Sequence, residues 1–351
     1  MPDVTILGAG IFGLSIAWFC RQKGASVRVI DPNGPGSGAS GGVVGALAPH
    51  VPENWNEKKA FQLDSLLMAE EFWSKIETLS GHSSGYARSG RVQPINDERT
   101  LDLARAREVS ANELWGEHAT WQVVGEDAVP LAPRSKTGFY IHDSLSASLH
   151  PRHACYALTE ALKKKGVSVV ADSKAQGQVI HATGAHGLTE LSNGIGFTVG
   201  NGVKGQAALL DFAASGAPQV FADSLHVIFH KDGTTAVGST SEREFMDAHS
   251  TDEQLDEIVS RARYAVPALS DAPVIARWAG LRPRAKSRAP MLGRHPLYQG
   301  QFITNGGFKI GFGMAPKVGQ VMADLVLDGK DSIPQEFKPE ASLPTGWIMR
   351  N

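Results

Sequence analysis

Hydrophobic and polar positions follow a strand, helix, strand order at the start of the chain. Residues 4–7 form a short, mainly apolar run that predicts a buried strand, and the pattern over residues 11–23 predicts a helix that Gly24 ends. A second apolar strand is predicted over residues 26–30. This order is typical of a βαβ unit in a parallel sheet.

Further along the chain, short strands alternate with amphipathic helices. Helices are predicted where apolar residues recur at helical spacing, and strands where short apolar runs are bounded by turn residues. The predicted helices cover residues 57–79, 97–115, 150–165, 251–266 and 314–327, and the predicted strands cover 90–95, 121–124, 138–141, 166–170, 178–185, 301–304 and parts of 202–240. The fold class is therefore α/β, with a Rossmann-like domain and an inserted α+β domain that has an antiparallel sheet.

The same change of pattern predicts where the two domains divide. The Rossmann-like domain is expected to be discontinuous, with residues 1–80, 145–200 and 275–351, and the inserted domain to take residues 81–144 and 201–274. A chain of 351 residues is long enough for two domains with sizeable cores.

The first strand leads into a glycine turn that favours a bound dinucleotide. Gly8 permits a tight turn, Gly10 lets a pyrophosphate approach the main chain, and Gly13 lets the helix lie close to the strand. Asp31 follows the second strand, where a carboxylate can accept hydrogen bonds from ribose hydroxyls. The glycines alone are a weak signal, and their place between strand, helix and terminal acid makes the prediction specific.

Residues 32–49 are rich in glycine, proline and serine, a composition that also fits a disordered linker. A linker has no need for the apolar residues Val43, Val44 and Leu47. The small side chains favour a loop that packs against a flat ligand, with Ser40 able to donate to a phosphate.

Composition limits the function classes. The net charge of −2, with 20% charged residues, gives no argument for a nucleic-acid partner or an anionic membrane. Cys20 and Cys155 offer neither a disulfide framework nor a metal-ligand spacing, so no metal is predicted. No apolar run reaches the ~18 residues of a membrane span. A first strand that begins near Asp3 leaves no room for a signal peptide, and a cytoplasmic protein is expected.

Several motifs in their order along the chain resemble one family. They are the glycine turn, the loop over residues 38–49, His150-Pro151-Arg152, Ala182-Thr183-Gly184, Gly280-Leu281-Arg282-Pro283 and a glycine-rich segment at residues 305–311 before the last helix. Together they are similar to the FAD-dependent D-amino-acid oxidase and glycine oxidase superfamily over nearly the whole chain. The resemblance makes the Rossmann-like domain the FAD-binding domain and the inserted domain the substrate domain.

The resemblance also implies roles for individual residues. Non-covalent FAD would be held by Gly8, Gly10, Ile11, Phe12, Gly13, Asp31, Ala39, Ser40, Gly45, Ala46, Thr183, Gly184, Gly307, Phe308, Lys309, Ile310 and Gly311. Arg282 would bind the substrate carboxylate, and Lys309 stands where glycine oxidases carry a second arginine. His50 is a candidate catalytic residue, although a packed or hydrogen-bonded histidine is the favoured interpretation, and Arg282 could instead form a structural ion pair. A tyrosine that relatives use for substrate corresponds to Val227.

The implied activity is oxidation of the C–N bond of a small amino acid or N-alkylglycine by hydride transfer to flavin N5. Oxygen, a quinone or another electron carrier would be the electron acceptor. The oligomeric state is left open, with a homo-oligomer as one alternative. An alternative is the flavin oxidase module that acts on carboxymethylaminomethyl-uridine in tRNA, since residues 84–90 resemble it and Arg284, Lys286, Arg288 and Lys309 could meet RNA phosphates. An NAD-dependent dehydrogenase and a flavin-binding protein without catalysis are further alternatives.

Overall fold

The computed structural model describes residues 1–347 and contains two large sheets. The strands are β1 (Val4–Leu7), β2 (Val27–Ile30), β3 (Ala46–Leu47), β4 (Arg91–Pro94), β5 (Trp121–Gly125), β6 (Phe139–Asp143), β7 (Ala147–Ser148), β8 (Ser168–Val170), β9 (Gln178–His181), β10 (Gly200–Asp211), β11 (Gln219–Ala222), β12 (Leu225–Phe229), β13 (Thr234–Gly238), β14 (Val274–Ala285), β15 (Met291–Arg294) and β16 (Phe302–Asn305). The α-helices are α1 (Ile11–Gln22), α2 (Glu57–Ser80), α3 (Glu98–Trp115), α4 (Pro151–Lys164), α5 (Gly184–Ile195), α6 (Glu253–Ala265) and α7 (Gly311–Asp328).

Local sequence signals explain where the helices begin and end. Asn56, Asp97 and Asp252 accept hydrogen bonds from main-chain N–H groups at the starts of α2, α3 and α6, which satisfies donors that have no partner inside a helix. Gly81 and Gly329 follow α2 and α7 in the left-handed conformation that ends many helices.

The first sheet has the strand order β15-β16-β9-β1-β2-β8. Strands β16, β9, β1, β2 and β8 are parallel, and β15 pairs antiparallel at the edge. Helices α1, α2, α4 and α7 contribute to the large apolar cluster that also buries β1 and β2. The Rossmann-like arrangement predicted from the sequence is therefore confirmed.

The second sheet has the order β14-β10-β13-β12-β11-β4-β6-β5, and every neighbouring pair except β11 and β4 is antiparallel. Alternate residues on a strand point to opposite faces. Val227 and Leu210 pack in the cluster that contains residues of α6, whereas Ile228, Ala207 and Trp278 pack against Val43 of the loop that precedes β3. One face of this sheet therefore lies over residues 43–46.

The structure differs from the sequence pattern in two places. Strand β14 pairs with β10 along its length, so residues 275–285 belong to the second sheet although they were assigned to the Rossmann-like domain. The sequence also gave no signal for α5, which contains Gly184, Gly187 and Gly194, residues that disfavour a helix. The exact domain division stays a prediction.

Both ends of the chain pack together behind the glycine turn. A Cβ on Gly319 of α7 would lie 2.7 Å from Phe19 Cδ2 and 2.8 Å from the Ser15 carbonyl oxygen, so α7 approaches α1 at van der Waals distance. A Cβ on Gly13 would overlap the carbonyl oxygen of Gly8 and lie 3.3 Å from Ile6 Cγ2. Helix α1 therefore lies directly on β1, as the sequence predicted for Gly13.

Within residues 1–347, no helix is both long and apolar enough to cross a membrane.

Gly13→Ala should destabilise the protein. The added methyl group meets main-chain atoms that cannot rotate away, and we expect a loss of at least about 2 kcal/mol, although alanine favours a helix over glycine by about 1 kcal/mol. The measurement is thermal unfolding. Gly125→Ala is the matched control, because Gly125 has φ −82° and no atom within 4 Å of an added Cβ. Equal Tm values for the two variants would contradict the close packing of α1 on β1.

Candidate cofactor and substrate site

Most of the predicted cofactor-binding residues meet at one edge of the first sheet. Parallel strands place their carboxyl ends at the same edge, where ligands of such sheets bind. The glycine turn follows β1, Asp31 follows β2, Thr183 and Gly184 follow β9, and residues 306–311 follow β16. A Cβ on Gly8, which has φ +109°, would overlap the Ala182 carbonyl oxygen, so the β1 and β9 turns touch.

The glycine turn forms a cradle at the N-terminus of α1. A Cβ on Gly10 would lie 3.3 Å from Ser40 Oγ and would narrow the space in front of the helix. Ser40 Oγ accepts a hydrogen bond from the Ile11 main-chain N at 3.0 Å, which leaves its own O–H to donate to a phosphate. The N–H groups of Phe12 and Gly13 have no acceptor within the helix, and no acidic side chain occupies its first turn. This end of α1 therefore fits an anionic group.

Asp31 accepts two main-chain hydrogen bonds, one of them from the glycine turn. Its Oδ2 accepts from the Ala9 main-chain N at 2.8 Å, and its Oδ1 accepts from the Asn33 main-chain N at 3.0 Å. Each carboxylate oxygen can accept a further hydrogen bond, so the side chain can still bind a hydroxyl. The ribose contact of Asp31 stays a prediction.

The loop before β3 is fixed to its surroundings along its length. Arg152 Nε donates to the Gly41 carbonyl oxygen at 2.9 Å, and His230 Nε2 lies 3.0 Å from the Val43 carbonyl oxygen. Gly45 accepts from the Leu149 main-chain N at 3.0 Å, and a Cβ on Gly45 would overlap the Leu149 carbonyl oxygen. The segment is an anchored loop and not a disordered linker.

The C-terminal glycine segment packs against the start of α1. A Cβ on Gly307 would lie 2.8 Å from Phe12 Cζ, and a Cβ on Gly311 would lie 3.7 Å from Ile11 Cγ2. The first turn of α7 adds another set of N–H groups without intrahelical acceptors. The main chains of residues 8–13 and 306–311 therefore line one cradle, and this cradle fits FAD.

A cavity of about 190 Å³ lies between this cradle and the second sheet. Its lining comes from β3 and the residues after it, from α2, from the second sheet and from the start of α7: Ala46, Ala48, Pro49, His50, Gln62, Arg91, Phe221, His226, Lys309, Ile310 and Gly313. The cavity thus brings together four residues predicted from the sequence, His50, Lys309, Ala46 and Ile310. Arg282 is not part of its lining.

Arg282 is buried against the second sheet. It is 8% exposed, its Nη1 donates to Ser239 Oγ at 2.6 Å, and its Nη2 donates to the carbonyl oxygens of Lys204 and Thr240. Its Nε has no hydrogen-bond partner within residues 1–347, and no carboxylate of that part of the chain forms an ion pair with it. Loss of hydration lowers the pKa of Arg282 to about 10, and the negative charge of Glu242 opposes this change.

Three cations surround one aromatic ring at the edge of the cavity. The guanidinium carbons of Arg282 and Arg284 lie 5.4 and 5.5 Å from the centroid of the Phe308 ring, and Lys309 Nζ lies 5.8 Å from it. Loss of hydration lowers the pKa of Lys309, and the positive charges of Arg282 and Arg284 lower it further. Within residues 1–347 no carboxylate pairs with any of the three. The site therefore has positive charge available for an anionic ligand.

Arg91 is a cavity residue that the sequence analysis missed. Its Nε donates to Asp143 Oδ2 at 2.8 Å, and both side chains are buried. Its two Nη groups make no hydrogen bond within residues 1–347, and Arg91 lines the cavity. The signal was present in the sequence, because Arg91 is the only charged residue in the strand predicted over residues 90–95.

His226, and not Val227, is the β12 residue that lines the cavity. Val227, which the resemblance aligns with a tyrosine of relatives, is 1% exposed and faces the α6 side of the sheet, and that correspondence stays a prediction. Loss of hydration, together with the smaller effect of the charges of Arg91 and Lys309, lowers the pKa of His226 to about 3. The imidazole is therefore neutral at ordinary pH.

Hydrogen bonds to Gln62 fix the tautomer of the His50 imidazole. Gln62 Oε1 accepts from the His50 main-chain N at 2.7 Å and also contacts His50 Nδ1, while Gln62 Nε2 donates to the Ala48 carbonyl oxygen. Because Oε1 can only accept, Nδ1 carries the proton and Nε2 is an acceptor. Loss of hydration lowers the pKa of His50. This side chain presents a neutral acceptor to the cavity.

The four basic residues considered as an RNA surface are divided between two places. Lys309 lines the cavity, whereas Lys286 Nζ lies 3.7 Å from the centroid of the Phe197 ring, and Arg288 is exposed in the turn after β14. Arg284 lies beside Phe308 with Lys309.

Comparison with known proteins agrees with this architecture. The chain is 28% identical over 374 aligned residues to the bifunctional protein ThiO/ThiG of Synechocystis sp., with 98% of this chain and 54% of that protein covered. It is 28% identical to glycine oxidase of Pseudomonas putida, with 97% and 99% covered. The chain spans about half the length of the ThiO/ThiG proteins that it matches.

The fold is also that of a solved oxidase. The structure of iminodiacetate oxidase from Chelativorans sp. BNC1 superposes with a TM-score of 0.84 at 23% identity, and the match covers 96% of this chain and 98% of that chain. The family described as FAD dependent oxidoreductase (DAO) matches residues 3–325, which confirms the resemblance seen in the sequence and makes the NAD-dependent alternative wrong. The chain belongs to this family of FAD-dependent oxidoreductases.

Proposed function

We propose that this FAD-dependent oxidoreductase oxidises the C–N bond of a small amine that carries a carboxylate, such as an amino acid or an N-alkylglycine. The observation that carries the proposal is the cavity in which the cofactor cradle meets Arg91 and Lys309. The names of two similar proteins, glycine oxidase and iminodiacetate oxidase, support this substrate class.

The cofactor would be held by the cradle without a covalent bond. The main chain of residues 8–13 and the hydroxyl of Ser40 would bind the pyrophosphate, and Asp31 would bind the ribose. The anchored loop at Gly45 and Ala46 and the segment at residues 307–311 would line the flavin. When bound, FAD supplies the acceptor for the hydride that leaves the carbon next to the amine nitrogen.

The cations would bind and orient the substrate carboxylate. Arg91 offers two parallel Nη donors, which match the two oxygens of a carboxylate, and Asp143 fixes its orientation through Nε. Lys309 offers a point charge with no competing carboxylate within residues 1–347. Arg282, to which the family resemblance assigns carboxylate binding, lies beside the Phe308 ring and does not line the cavity. It would therefore contribute its positive charge and no direct hydrogen bond to the substrate.

The neutral imidazoles suit a reacting amine that must lose its proton before it gives up hydride. His50 Nε2 can accept a hydrogen bond from the amine N–H, and His226 adds no charge beside it. Neither side chain is required as a general base in this proposal. Their role is to bind the uncharged amine.

The proposal is tested by anaerobic reduction of the purified, FAD-loaded protein. Glycine, sarcosine, iminodiacetate, D-alanine and proline are added separately, and the flavin absorbance is followed. We expect at least one of them to bleach the flavin, and the matched amine without a carboxylate, dimethylamine for sarcosine, to leave it oxidised. Bleaching by dimethylamine but by none of the carboxylate compounds, or bleaching by none of the compounds, would overturn the proposed substrate class.

Lys309→Met should raise KM for the carboxylate substrate by about 10- to 100-fold, the range expected for loss of a charge-assisted hydrogen bond. Lys309→Arg should restore most of the affinity, since it keeps the charge. Steady-state kinetics and the flavin content measure both effects. Lys286→Met is the control, because Lys286 lies outside the cavity lining; a KM change as large in this variant would argue against a local role.

Arg91→Lys should raise KM by about tenfold or more while FAD remains bound, because lysine keeps a cation beside Asp143 and loses the paired donors. Replacement of Arg91 by an uncharged residue is a poorer test, since it would leave the Asp143 carboxylate buried without its ion-pair partner and would destabilise the fold. An unchanged KM, measured with the same substrate, would exclude Arg91 from carboxylate binding.

A further inference from the structure

Four side chains that the proposed function does not use meet at the start of α4. His150 precedes the helix and His153 lies in its first turn, while His230 and Asp232 belong to the turn between β12 and β13. The rings of His150 and His153 stack with centroids 4.0 Å apart, and the ring of His230 lies 4.6 Å from that of His150. This group is called the histidine cluster below.

Two imidazoles of the histidine cluster are buried with an unpartnered nitrogen. His150 is 5% exposed and His230 is 2% exposed, and Nδ1 of each has no hydrogen-bond partner within residues 1–347. His230 must donate through Nε2 to the Val43 carbonyl oxygen, so its Nδ1 carries the lone pair. Buried polar atoms are nearly always satisfied, so these nitrogens indicate a missing partner.

The neighbouring side chains provide the rest of a metal-ligand set. One ligand atom from each of His150, His153 and Asp232 lies within 4.8 Å of the other two. Thr234 donates twice to Asp232 Oδ1, whereas Asp232 Oδ2 lies 3.9 Å from His153 Nδ1 and can bind a cation. Ligands of a tetrahedral zinc ion stand about 3.4 Å apart, and the exposed side chains of His153 and Asp232 can close the remaining distance by rotation.

We propose that His150, His153 and Asp232 form a site for a divalent transition-metal ion of the zinc type. Imidazole nitrogen with one carboxylate oxygen suits zinc and its neighbours, whereas magnesium and calcium prefer oxygen ligands alone. The imidazole of His150 is buried and its Nδ1 has no hydrogen-bond partner within residues 1–347, so a metal ion would satisfy an atom that otherwise lacks one.

The position of the site gives it a structural role. The metal would join α4, which packs with the first sheet, to the β12–β13 turn of the second sheet. His230 of the β12–β13 turn donates to the Val43 carbonyl oxygen, and Arg152 of α4 donates to the Gly41 carbonyl oxygen. The turn and the helix therefore both contact the anchored loop that precedes β3. Metal binding would therefore stabilise the positions of the two sheets around this loop.

The test uses the FAD-loaded protein after dialysis against a chelator. Titration calorimetry with Zn²⁺ should show one site per chain, and saturation should raise the Tm, because a ligand that binds only the folded state stabilises it. His153→Ala and Asp232→Asn, both at exposed side chains, should each weaken Zn²⁺ binding by at least about tenfold. The flavin spectrum reports whether each variant is folded.

His186→Ala is the matched control. His186 is also an exposed helical histidine with a carboxylate nearby, at 3.4 Å from Glu190, but it lies on α5 away from the histidine cluster. Its replacement should leave Zn²⁺ affinity unchanged. Absence of saturable binding by the unaltered protein, or equal affinities of the His153 and Asp232 variants and the unaltered protein, would overturn the proposal.

Discussion

The close contact between the two ends of the chain is the constraint on which the site depends. Helix α1 lies on β1 because Gly13 has no side chain, and α7 lies on α1 because Gly319 has none. These contacts place the first turns of both helices, with their unpaired N–H groups, at one edge of the parallel sheet. Larger residues at either glycine would separate the two halves of the cradle.

The second constraint is electrostatic. Arg282, Arg284 and Lys309 lie around Phe308, and loss of hydration lowers the pKa of each. The positive charges of Arg282 and Arg284 lower the pKa of Lys309 further, so an anionic ligand bound there would offset both effects. Arg91 differs, because Asp143 compensates its charge and leaves its outer donors for hydrogen bonding. The site thus combines uncompensated charge with oriented donors.

Much of the fold could be predicted from the sequence, because strong periodicity and glycine placement are local signals. The βαβ unit, Gly8, Gly13 and the long helices follow from such signals. The residues that line the cavity were harder to find, since they depend on which face of a strand points inward. On β12, His226 lines the cavity whereas its neighbour Val227 faces the other side of the sheet, and Arg91 is placed by long-range pairings of β4 with β6 and β11. The histidine cluster likewise joins residues about 80 positions apart in sequence, a pairing that no spacing rule reveals.

The order of strands in the first sheet also has a consequence for how the protein is made. Strand β16 lies far after β9 in the sequence, yet it pairs with β9, which in turn pairs with β1. During synthesis the edge of β9 therefore stays open, and the nucleotide cradle lacks the wall formed by residues 306–311, until β16 has been made. An open strand edge can pair with other chains, so cofactor capture and protection against aggregation both depend on the arrival of this late strand.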